Sequence, residues 1–513
     1  MDAVRLVWVL PVAAISIIVI KNYTTTDSLK GKGKRHGLTL PPGPSRWQAI
    51  KDLLTMDDSQ PWLLFSQWTK RYGGLTYADF PGQRVLFLDS ENAIRELMEN
   101  RSSKYSGRPE APTMSLYGWG FTTSNLPYND KWRQHRRFYQ HGLHSEGVLK
   151  WRPFQLQSAH TLSLNLLNNP EHIIEHIVTF TASTIMAALY GYTTLPNDDP
   201  LLDIVLRAIS IFVESTSTLN ILIFSAFFRR LKIYGVEHFP AWLPGLKFYR
   251  NAATSRELAR EMMDTPFEFV KQSITNGSAQ PSMVYEILTK PLEDRESKLL
   301  DEQIIKEAAA SGLSAGIETT SSSIIAFFLA MAMHPGVQER AQTEIDAVIG
   351  KGRLPNFDDR PALPYVEAVF RETVRWFQAS PMGKCAPHAT TDDDTYNGFF
   401  IPKKTTVFVN IWALAHDESK YRDPHTFDPS RFLTPEENLN DDNMQYVFGF
   451  GRRVCPGRYL AEASMWIAIA TILSVFKIGK AKNEHGEDIE VALKFTPGQV
   501  MCVTPMHLYG SIK

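Results

Sequence analysis

One glycine-rich loop that leads directly into a long apolar segment places the strongest constraint on how this chain can fold. The loop, residues 448–457, reads FGFGRRVCPG, and the apolar segment continues to residue 470. The loop contains Cys455, and the proline after it suits a first helical turn, where its missing N–H is not needed. The sequence therefore predicts a buried helix here, with the cysteine at or just before its N-terminus.

The position of Cys455 favours a thiolate. A helix N-terminus carries partial positive charge that stabilises an anion. Three arginines add to this charge: Arg452, Arg453 and Arg458. Three glycines have no side chain and so permit close approach of a flat group: Gly449, Gly451 and Gly457. A planar cofactor with an axial sulfur ligand would fit, although a lone cysteine is more often a small buried residue of a core.

The loop resembles the haem-binding loop of the cytochrome P-450 superfamily. The family pattern F-x-x-G-x-R-x-C-x-G is matched at Phe448, Gly451, Arg453, Cys455 and Gly457. The resemblance implies haem b (iron protoporphyrin IX), with the Cys455 thiolate as the axial metal ligand that donates electron density to the iron. It also implies that Phe448 covers the sulfur and keeps it dry.

Composition excludes several other classes. The 513 residues are 43% hydrophobic and 21% charged, so the chain can bury a large core. Lys and Arg number 54 against 55 Asp and Glu, which gives no indication of nucleic-acid binding. The three cysteines are too few and too scattered for a disulfide framework, and they indicate a reducing compartment: Cys385, Cys455 and Cys502.

The N-terminal residues 1–23 predict a membrane anchor. Residues 4–20 are almost continuously apolar, close to the minimum length of a membrane span, and no small-residue cleavage site follows. A basic run at 30–36 should stay cytoplasmic, so the remaining chain should face the cytosol. Residues 24–44 then form a basic, proline-rich linker that resembles the hinge of microsomal family members. We expect a single-pass protein of the endoplasmic reticulum membrane, with residues 45–513 as the haem-thiolate catalytic domain.

The remaining pattern is that of a mainly α fold with a small β subdomain, and the resemblance implies the cytochrome P-450 prism fold. Residues 75–79 and 84–89 predict two short strands joined by a Pro-Gly turn. The longest helical pattern, 302–333, is apolar on nearly every face, which is typical of a buried helix. The apolar segment 219–228 is either a core helix or a lid that dips into a membrane beside a substrate channel.

The centre of the 302–333 helix contains a candidate catalytic motif. Residues 315–320, AGIETT, resemble the oxygen-binding motif of the family, and the resemblance implies that Gly316 contacts the haem. The resemblance implies that Glu318 and Thr319 deliver protons through a hydrogen-bonded water. Gly316 with Thr319 permits a local opening, because a threonine hydroxyl can bond the carbonyl one turn back. Taken alone, such a polar pair is more often satisfied inside a helix bundle.

A second helix supplies candidate ligands for haem propionates. Trp132 and Arg136 are four residues apart and share a face, which alone is typical of a solvated basic helix. The segment resembles the W-x-x-x-R helix of the family, so both would bind a propionate. His388 resembles a further propionate ligand, with an exposed loop histidine as the alternative. Other basic side chains could form a patch for an acidic electron-donor protein: Lys131, Arg133, Arg137, Arg452 and Arg458.

A structural cluster of charges is predicted from two motifs. Glu372 and Arg375 have E-x-x-R spacing on a helix, where such residues can meet. The pair alone is a weak signal, but residues 427–432, FDPSRF, resemble the PERF-type segment of the family. Glu372, Arg375 and Arg431 should then form a buried cluster with bidentate hydrogen bonds, and losing one member should leave a desolvated charge.

The resemblance is closest to fungal microsomal members of the O-methylsterigmatocystin oxidoreductase type. It implies a monooxygenase that inserts one atom of O₂ into a lipophilic terpenoid or polyketide intermediate of fungal secondary metabolism. No G-x-G-x-x-G follows a strand, so electrons from NADPH should come through a separate NADPH-cytochrome reductase, with cytochrome b5 as a further partner. The candidate substrate contacts are Trp119, Phe121, Ile317, Met382 and Val500.

Two alternatives remain open from the sequence. An O₂-independent isomerase or dehydratase could use the same fold, although the retained Glu318 and Thr319 favour the monooxygenase. A membrane-tethered helical binding protein without a redox role would carry no coloured cofactor after purification.

Overall fold

The computed structural model describes residues 37–57, 59–80, 83–195, 198–215, 247–290, 301–382, 387–489 and 508–512. Helices lie at Arg46–Thr55 (α1), Pro61–Tyr72 (α2), Glu91–Ile94 (α3), Ser102–Tyr105 (α4), Pro112–Leu116 (α5), Asp130–Gly142 (α6), Arg152–Asn168 (α7), Ile173–Tyr190 (α8), Pro200–Ser215 (α9), Lys247–Thr275 (α10), Met283–Thr289 (α11), Glu302–Met333 (α12), Pro335–Val348 (α13), Pro364–Trp376 (α14), Ile411–Ala415 (α15) and Arg458–Val475 (α16). A π-helix at Arg95–Asn100 continues α3. Short 3-10 helices lie at Gly147–Trp151, Pro170–His172, Phe357–Ala362, Pro429–Phe432, Gln445–Phe448 and Gly451–Arg453.

The strands form small sheets at the edge of the helical body. They lie at Leu75–Phe80 (β1), Gln83–Leu88 (β2), His388–Ala389 (β3), Asp394–Tyr396 (β4), Phe399–Ile401 (β5), Thr406–Val409 (β6), Phe476–Lys480 (β7) and Leu508–Ile512 (β8). One sheet has the order β1-β2-β6-β3, in which β2 and β6 are parallel and the other pairs antiparallel. The pairs β4-β5 and β7-β8 are separate two-stranded antiparallel sheets.

Helix α12 joins two hydrophobic cores. Its N-terminal half packs with α6, α8, α9 and α10, and its C-terminal half packs with α14 and α16. Asp301 caps the helix by accepting a hydrogen bond from the N–H of Ile304 at 2.8 Å. Apolar residues of α12 up to Ile317 belong to one core, and those from Ile324 onward belong to the other. The polar segment between them therefore lies at the junction of the two cores.

The mainly helical fold with a small sheet region is confirmed, as are the two strands β1 and β2 and the bounds of α12. Among the described residues, three helices are long and apolar enough to cross a membrane: Pro170–Tyr190, Glu302–Met333 and Arg458–Val475. In these helices, 67%, 78% and 67% of the most apolar stretch is buried inside the fold. Their apolar side chains therefore pack in the protein core.

Several predictions concern residues outside the described ranges. These are the anchor at 1–23, the first part of the linker, Cys385, Cys502, the apolar segment 219–228 and Val500. The described end of the predicted linker packs against the sheets. Thr39 accepts a hydrogen bond from the N–H of Phe400 at 2.7 Å, and Pro42 accepts one from the N–H of Tyr77 at 2.9 Å. Residues 37–44 are therefore fixed to the catalytic domain rather than hanging free of it.

Candidate active site

The centre of α12 has an accessible surface inside the protein. Ala315 is exposed, and Glu318 and Thr319 are half-buried, although the residues on either side of this segment are buried. The hydroxyl of Thr319 donates a hydrogen bond to the carbonyl of Ala315 at 2.9 Å, as predicted. The helix continues as α-helix through this turn, so the predicted local opening is not present as a break. The accessible surface at this turn therefore arises from the small side chains of Ala315 and Gly316.

Gly316 has a packing role that its sequence did not reveal. A Cβ built on this residue would lie 2.4 Å from Cδ1 of Ile185 in α8, which is closer than two carbons can approach. The missing side chain therefore allows α12 and α8 to pack closely. This role is distinct from the cofactor contact predicted for Gly316.

The carboxyl group of Glu318 has no partner in the part of the chain that the structure describes. It makes no hydrogen bond or ion pair with any residue in the described ranges, and burial raises its pKa to about 7. Desolvation disfavours the charged form, and nothing nearby offsets it. A carboxyl group with a pKa near neutrality can both hold and release a proton under physiological conditions, which is the property of an efficient general acid.

The cysteine loop lies immediately before α16. Cys455 donates its backbone N–H to the carbonyl of Phe448 at 2.8 Å, which closes the loop. Helix α16 begins at Arg458, so Pro456 lies in the turn before the helix and not at its first position. The side chain of Cys455 lies deep in the protein yet retains accessible surface, because it faces an internal space.

The prediction that the protein itself favours a thiolate is not supported. Burial raises the pKa of Cys455, and this effect exceeds the opposing effects of the Gly457 N–H, Arg136 and Arg458. Arg452 is exposed and donates to the hydroxyl of Tyr128, while Arg453 donates to backbone carbonyls. The sequence showed the charges around the loop but not the depth of the sulfur. A metal ion bound to the sulfur would supply the stabilisation that the thiolate lacks.

Two glycines of the cysteine loop are required by the backbone conformation and its packing. Gly449 and Gly451 have φ of +84° and +56°, a region that residues with side chains rarely adopt. A Cβ on Gly451 would lie 2.1 Å from the carbonyl oxygen of Met98, so this glycine lets the loop pack against the π-helix. Gly457 lies beside the sulfur, since Sγ of Cys455 is 4.0 Å from its hypothetical Cβ, and the space beside Gly449 is open.

Four basic side chains form a half-buried group that we call the cation cluster: Arg108, Arg136, Arg453 and His388. Burial and the nearby charge of Arg136 lower the pKa of Arg453 to about 9. Burial also lowers the pKa of Arg136. In the described part of the chain, neither arginine forms an ion pair with a carboxylate. These two arginines instead bond carbonyls of Val454, Ser106 and Leu126.

The predicted propionate ligands meet at this cluster. The guanidinium groups of Arg136 and Arg453 lie 5.9 Å and 4.5 Å from the ring centre of Trp132. The indole N–H of Trp132 has no hydrogen-bond partner among the described residues. Uncompensated half-buried cations and a free donor fit an anionic ligand with carboxylate oxygens, and the propionates of a haem would supply these.

His388 reaches the cluster from strand β3. Its Nδ1–H donates to the carbonyl of Tyr105 at 2.8 Å, and its pKa is lowered well below the usual value by burial, with Arg108 and Arg453 contributing. In the protein alone this histidine is neutral, so it can donate to a propionate only after Nε2 gains a proton. A bound anion would favour that protonation.

Arg108 is a member of the cluster that the sequence did not reveal. It donates to the carbonyl of Ser124 at 2.6 Å and lowers the pKa of His388. The residue lies in an irregular segment between α4 and α5, with no periodicity or motif around it. Only the tertiary contact to β3 assigns it to the site.

Comparison with known proteins agrees with this geometry. The family description "Cytochrome P450" matches residues 41–502. The chain belongs to the cytochrome P450 family. Cytochrome P450 monooxygenase ple1 of Rhodocybe pseudopiperita is 35% identical over 510 residues, which cover 98% of this chain and 94% of the relative. Cytochrome P450 monooxygenase COX1 of Coprinopsis cinerea is 33% identical over 490 residues, covering 94% and 92% respectively.

Membership carries several general properties. This cytochrome P450 is an oxidoreductase of the monooxygenase type. The family uses haem with a cysteine thiolate ligand, O₂, a lipophilic substrate and redox partners. Among the described residues, Cys455 is the cysteine that lies in the loop resembling the haem-binding motif. The cation cluster and Trp132 fit the carboxylates of the haem.

The predicted structural cluster of this cytochrome P450 is assembled as expected. Arg375 donates from Nε and Nη2 to the two carboxylate oxygens of Glu372, at 2.6 Å and 2.8 Å. Nε of Arg431 donates to the carboxylate of Glu372 at 3.2 Å. The backbone N–H of Asp428 donates to the same carboxylate at 2.8 Å. Glu372 and Arg375 are completely buried, so the cluster ties α14 to the segment before the cysteine loop.

The predicted substrate contacts are closely packed in this cytochrome P450. Trp119 is 1% exposed, stacks on Phe212 of α9 at 4.3 Å and donates to the hydroxyl of Ser255 in α10 at 3.2 Å. The rings of Phe121 and Trp119 also stack, with their centroids 5.9 Å apart. Ile317 and Met382 are 2% and 1% exposed. Trp119, Phe121 and Ile317 belong to one hydrophobic core and Met382 to the other, so the structure does not bring all four predicted contacts together.

The proposed electron-donor patch is partly used for internal contacts. Three of its members are exposed: Arg133, Arg137 and Arg452. Arg133 pairs with Asp130, and Lys131 pairs with the buried Glu307 at 2.6 Å. Arg458 donates to the carbonyl of Cys455 at 3.2 Å. The exposed charge on this face therefore comes mainly from Arg137 and Arg452.

Proposed function

We propose that this chain is a haem-thiolate monooxygenase that inserts one atom of O₂ into a C–H bond of a lipophilic small molecule. The second oxygen atom leaves as water, so each turnover takes up two electrons and two protons. The observation that carries the proposal is that Glu318, a carboxyl group with a raised pKa, lies beside an accessible surface at the centre of α12. The cysteine loop and the cation cluster of the same protein fit haem.

The roles of the individual residues follow from their chemistry. The haem would supply oxygen activation and the transfer of the oxygen atom. Cys455 would ligate the iron through its thiolate, within a loop closed by the carbonyl of Phe448. Trp132, Arg136 and Arg453 would hold the propionates by charge-assisted hydrogen bonds. His388 would join them when protonated.

Proton supply would use Glu318 and Thr319. Glu318 holds a proton at neutral pH because burial raises its pKa to about 7. The hydroxyl of Thr319 donates to the carbonyl of Ala315, so its oxygen is left as an acceptor for a water molecule. That water would pass the proton of Glu318 toward the reacting oxygen. Gly316 keeps this turn of α12 close to α8.

The proposed substrate is a terpenoid or polyketide intermediate of fungal secondary metabolism. The similarity to fungal monooxygenases supports the fungal setting, and the aromatic stack of Phe121, Trp119 and Phe212 suits an apolar ligand. Screening a lipophilic library for shifts of the Soret band would identify ligands. If polar compounds alone produced shifts, the proposed substrate class would be wrong.

We also propose that electrons come from NADPH through a separate reductase, with cytochrome b5 as a further donor. The exposed Arg137 and Arg452 support docking of an acidic protein. The proposed location is the endoplasmic reticulum membrane, with a single N-terminal span and the catalytic domain in the cytosol. Trp47 and Leu54 of α1 are 65% and 67% exposed, as expected for a face that touches lipid.

The decisive experiment is the carbon monoxide difference spectrum of the reduced, haem-loaded protein. A strongly red-shifted Soret band is expected, and Cys455→Ala should abolish it. Cys455→Ala protein that still binds haem and keeps the band would show that another residue is the ligand. Absence of the band in folded, haem-containing wild-type protein would reject the haem-thiolate function.

A further inference from the structure

Two tyrosines and a carboxylate form a hydrogen-bonded group in front of the cysteine loop, which we call the tyrosine row. Its members are Tyr446, Tyr421 and Asp442. The hydroxyl of Tyr421 lies 2.6 Å from Oδ2 of Asp442, and the hydroxyl of Tyr446 lies 3.1 Å from that of Tyr421. Tyr421 is buried and Tyr446 is half-buried. The proposed mechanism uses none of these side chains.

The direction of each hydrogen bond in the row follows from the carboxylate. A carboxylate can only accept, so the hydroxyl of Tyr421 donates to Asp442. The thioether sulfur of Met444, 3.4 Å from the same hydroxyl, is a weaker acceptor. Tyr421 has then used its single proton, so Tyr446 must donate in the bond between the two hydroxyls. A proton can therefore move from Tyr446 to Tyr421 while another moves from Tyr421 to Asp442.

Asp442 is held in place and has access to solvent. Its carboxylate pairs with Nζ of Lys420 at 3.1 Å, and its main-chain carbonyl accepts a hydrogen bond from Nη1 of Arg371 at 3.1 Å. The side chain of Asp442 is 20% exposed. A proton that reaches this carboxylate can therefore exchange with water.

The surroundings oppose loss of a proton alone or of an electron alone from either tyrosine. Burial raises the pKa of both hydroxyls, and the charge of Asp442 adds to this effect. Loss of an electron alone would leave a cationic ring beside positive charges, since Nζ of Lys420 lies 5.0 Å and 5.3 Å from the two ring centres. The guanidinium of Arg375 lies 5.3 Å from the ring centre of Tyr421. Loss of an electron together with the hydroxyl proton leaves a neutral oxygen radical and avoids both costs.

Tyr446 is the member of the row that leads to the cysteine loop. It lies in the 3-10 helix Gln445–Phe448, and its carbonyl accepts a hydrogen bond from the N–H of Gly449 at 3.0 Å. The carbonyl of Phe448 accepts from the N–H of Cys455 at 2.8 Å. A short stretch of main chain and one hydrogen bond thus join Tyr446 to the proposed iron ligand.

We propose that the tyrosine row is a redox site that gives an electron to the haem centre when hydrogen peroxide has oxidised that centre and no substrate is bound. The inference rests on the haem-thiolate function proposed above. Tyr446 loses one electron, which reduces the oxidised centre by one equivalent. The O–H bond of Tyr446 breaks in the same step, and its proton passes to Tyr421, whose own proton passes to Asp442. The products are a neutral oxygen radical on Tyr446 and a carboxylic acid at Asp442.

The row is restored by a one-electron reductant such as ascorbate. The reductant returns an electron to Tyr446, and the proton comes back from Asp442 through Tyr421. Each cycle removes one oxidising equivalent that would otherwise attack the porphyrin or the sulfur of Cys455. The row would therefore protect the protein when oxygen is activated without a substrate.

The radical can be detected by electron paramagnetic resonance. Substrate-free ferric protein is mixed with hydrogen peroxide and frozen rapidly, and a tyrosyl signal that narrows with ring-deuterated tyrosine is expected. The double variant Tyr421→Phe with Tyr446→Phe should lose this signal, because phenylalanine has no O–H bond. The matched control is Tyr190→Phe, which should keep it. Tyr190 is buried, and its hydroxyl has no hydrogen-bond partner within the described ranges.

A second variant separates the redox role from a purely structural one. Asp442→Asn keeps both phenol rings but removes the proton acceptor, so the radical signal should again be lost. Bleaching of the Soret band by peroxide should be faster in this variant and in the double variant than in wild type or Tyr190→Phe. Ascorbate should slow bleaching in wild type and have no such effect in the double variant. The carbon monoxide band of each preparation shows that haem ligation is intact.

Two results would overturn the inference. One is a double variant that keeps the wild-type radical signal, since the radical would then lie elsewhere. The other is a wild-type protein that shows the carbon monoxide band but no tyrosyl signal after peroxide, which leaves the proposed haem-thiolate function intact. Absence of the carbon monoxide band from wild type would instead reject that function.

Discussion

The Cδ1 methyl group of Ile185 occupies the space that a side chain at Gly316 would need. The hypothetical Cβ of Gly316 would lie 2.4 Å from this carbon, in the helix α8 that crosses α12 beside the proposed proton pair. Close packing of the two helices thus depends on a glycine that lies two residues before Glu318. A side chain at position 316 would force the end of the Ile185 side chain to shift.

Replacing Gly316 with alanine should destabilise the protein by about 1 kcal/mol net. Overpacking costs about 1–3 kcal/mol, and the better helix propensity of alanine returns up to about 1 kcal/mol. Ile185→Val removes the clashing methyl group, so the double variant should recover the loss in urea unfolding. Gly336→Ala in α13, where nothing lies within 4 Å, is the matched control and should not destabilise. A double variant no better than Gly316→Ala would reject this contact as the cause.

Glu372→Ala should give misfolded, haem-free protein. It leaves the buried guanidinium of Arg375 without its carboxylate, at a cost of about 3–5 kcal/mol. The control is Glu437→Ala, which breaks an exposed pair with Arg340 and should cost less than about 1 kcal/mol. The ratio of Soret to protein absorbance after purification measures the outcome. Normal haem content in Glu372→Ala would contradict the structural role of the cluster.

Ionisation of Glu318 should weaken the fold as pH rises. Its pKa is about 7 in the folded protein and 4.5 in the reference state, so folding favours the protonated form. Below pH 4.5 both states are protonated and nothing is lost. Between pH 4.5 and 7 the unfolded chain ionises first, and above pH 7 the full penalty of about 3 kcal/mol applies.

Glu318→Gln should therefore stabilise the protein at pH 8 by up to this amount and have little effect at pH 5. Unfolding by urea at the two pH values gives the comparison. Equal effects at both would mean that the carboxyl group titrates normally.

Arg108→Gln should weaken haem retention. The substitution removes one cation beside His388, so a propionate would lose a charge-assisted partner, and transfer of haem to apomyoglobin should be about tenfold faster. Arg422→Gln is the control, since the side chain of Arg422 is 95% exposed. Equal rates in the two variants would remove Arg108 from the site.

Features that depend on neighbouring residues were predictable from the sequence. Helix α12 was located because its apolar pattern is continuous, and Glu372 meets Arg375 because three residues make almost one helical turn. That Trp132 and Arg136 lie on one face of a helix was predictable in the same way, because they are four residues apart. The resemblance to a known family then gave these separate motifs a common cofactor.

Features that depend on burial or distant contacts were not predictable. The charges near Cys455 suggested a thiolate, but the depth of the sulfur reverses the direction of its pKa. Arg108 and the bond of His135 to Thr123 arise where irregular segments meet α6 and β3. The contact of Gly316 with Ile185 joins two helices far apart in the chain, and no local pattern records it.

The lack of a carboxylate partner for Arg136 and Arg453 within the described residues has a consequence for how the protein matures. Without haem, the polypeptide must hold two positive charges close together where they are partly withdrawn from water, which is costly. Haem would bring the missing counter-ions, so cofactor loading would complete the fold rather than follow it. The amount of stable protein in a cell should then track haem supply, and a newly made chain that misses its cofactor should be degraded.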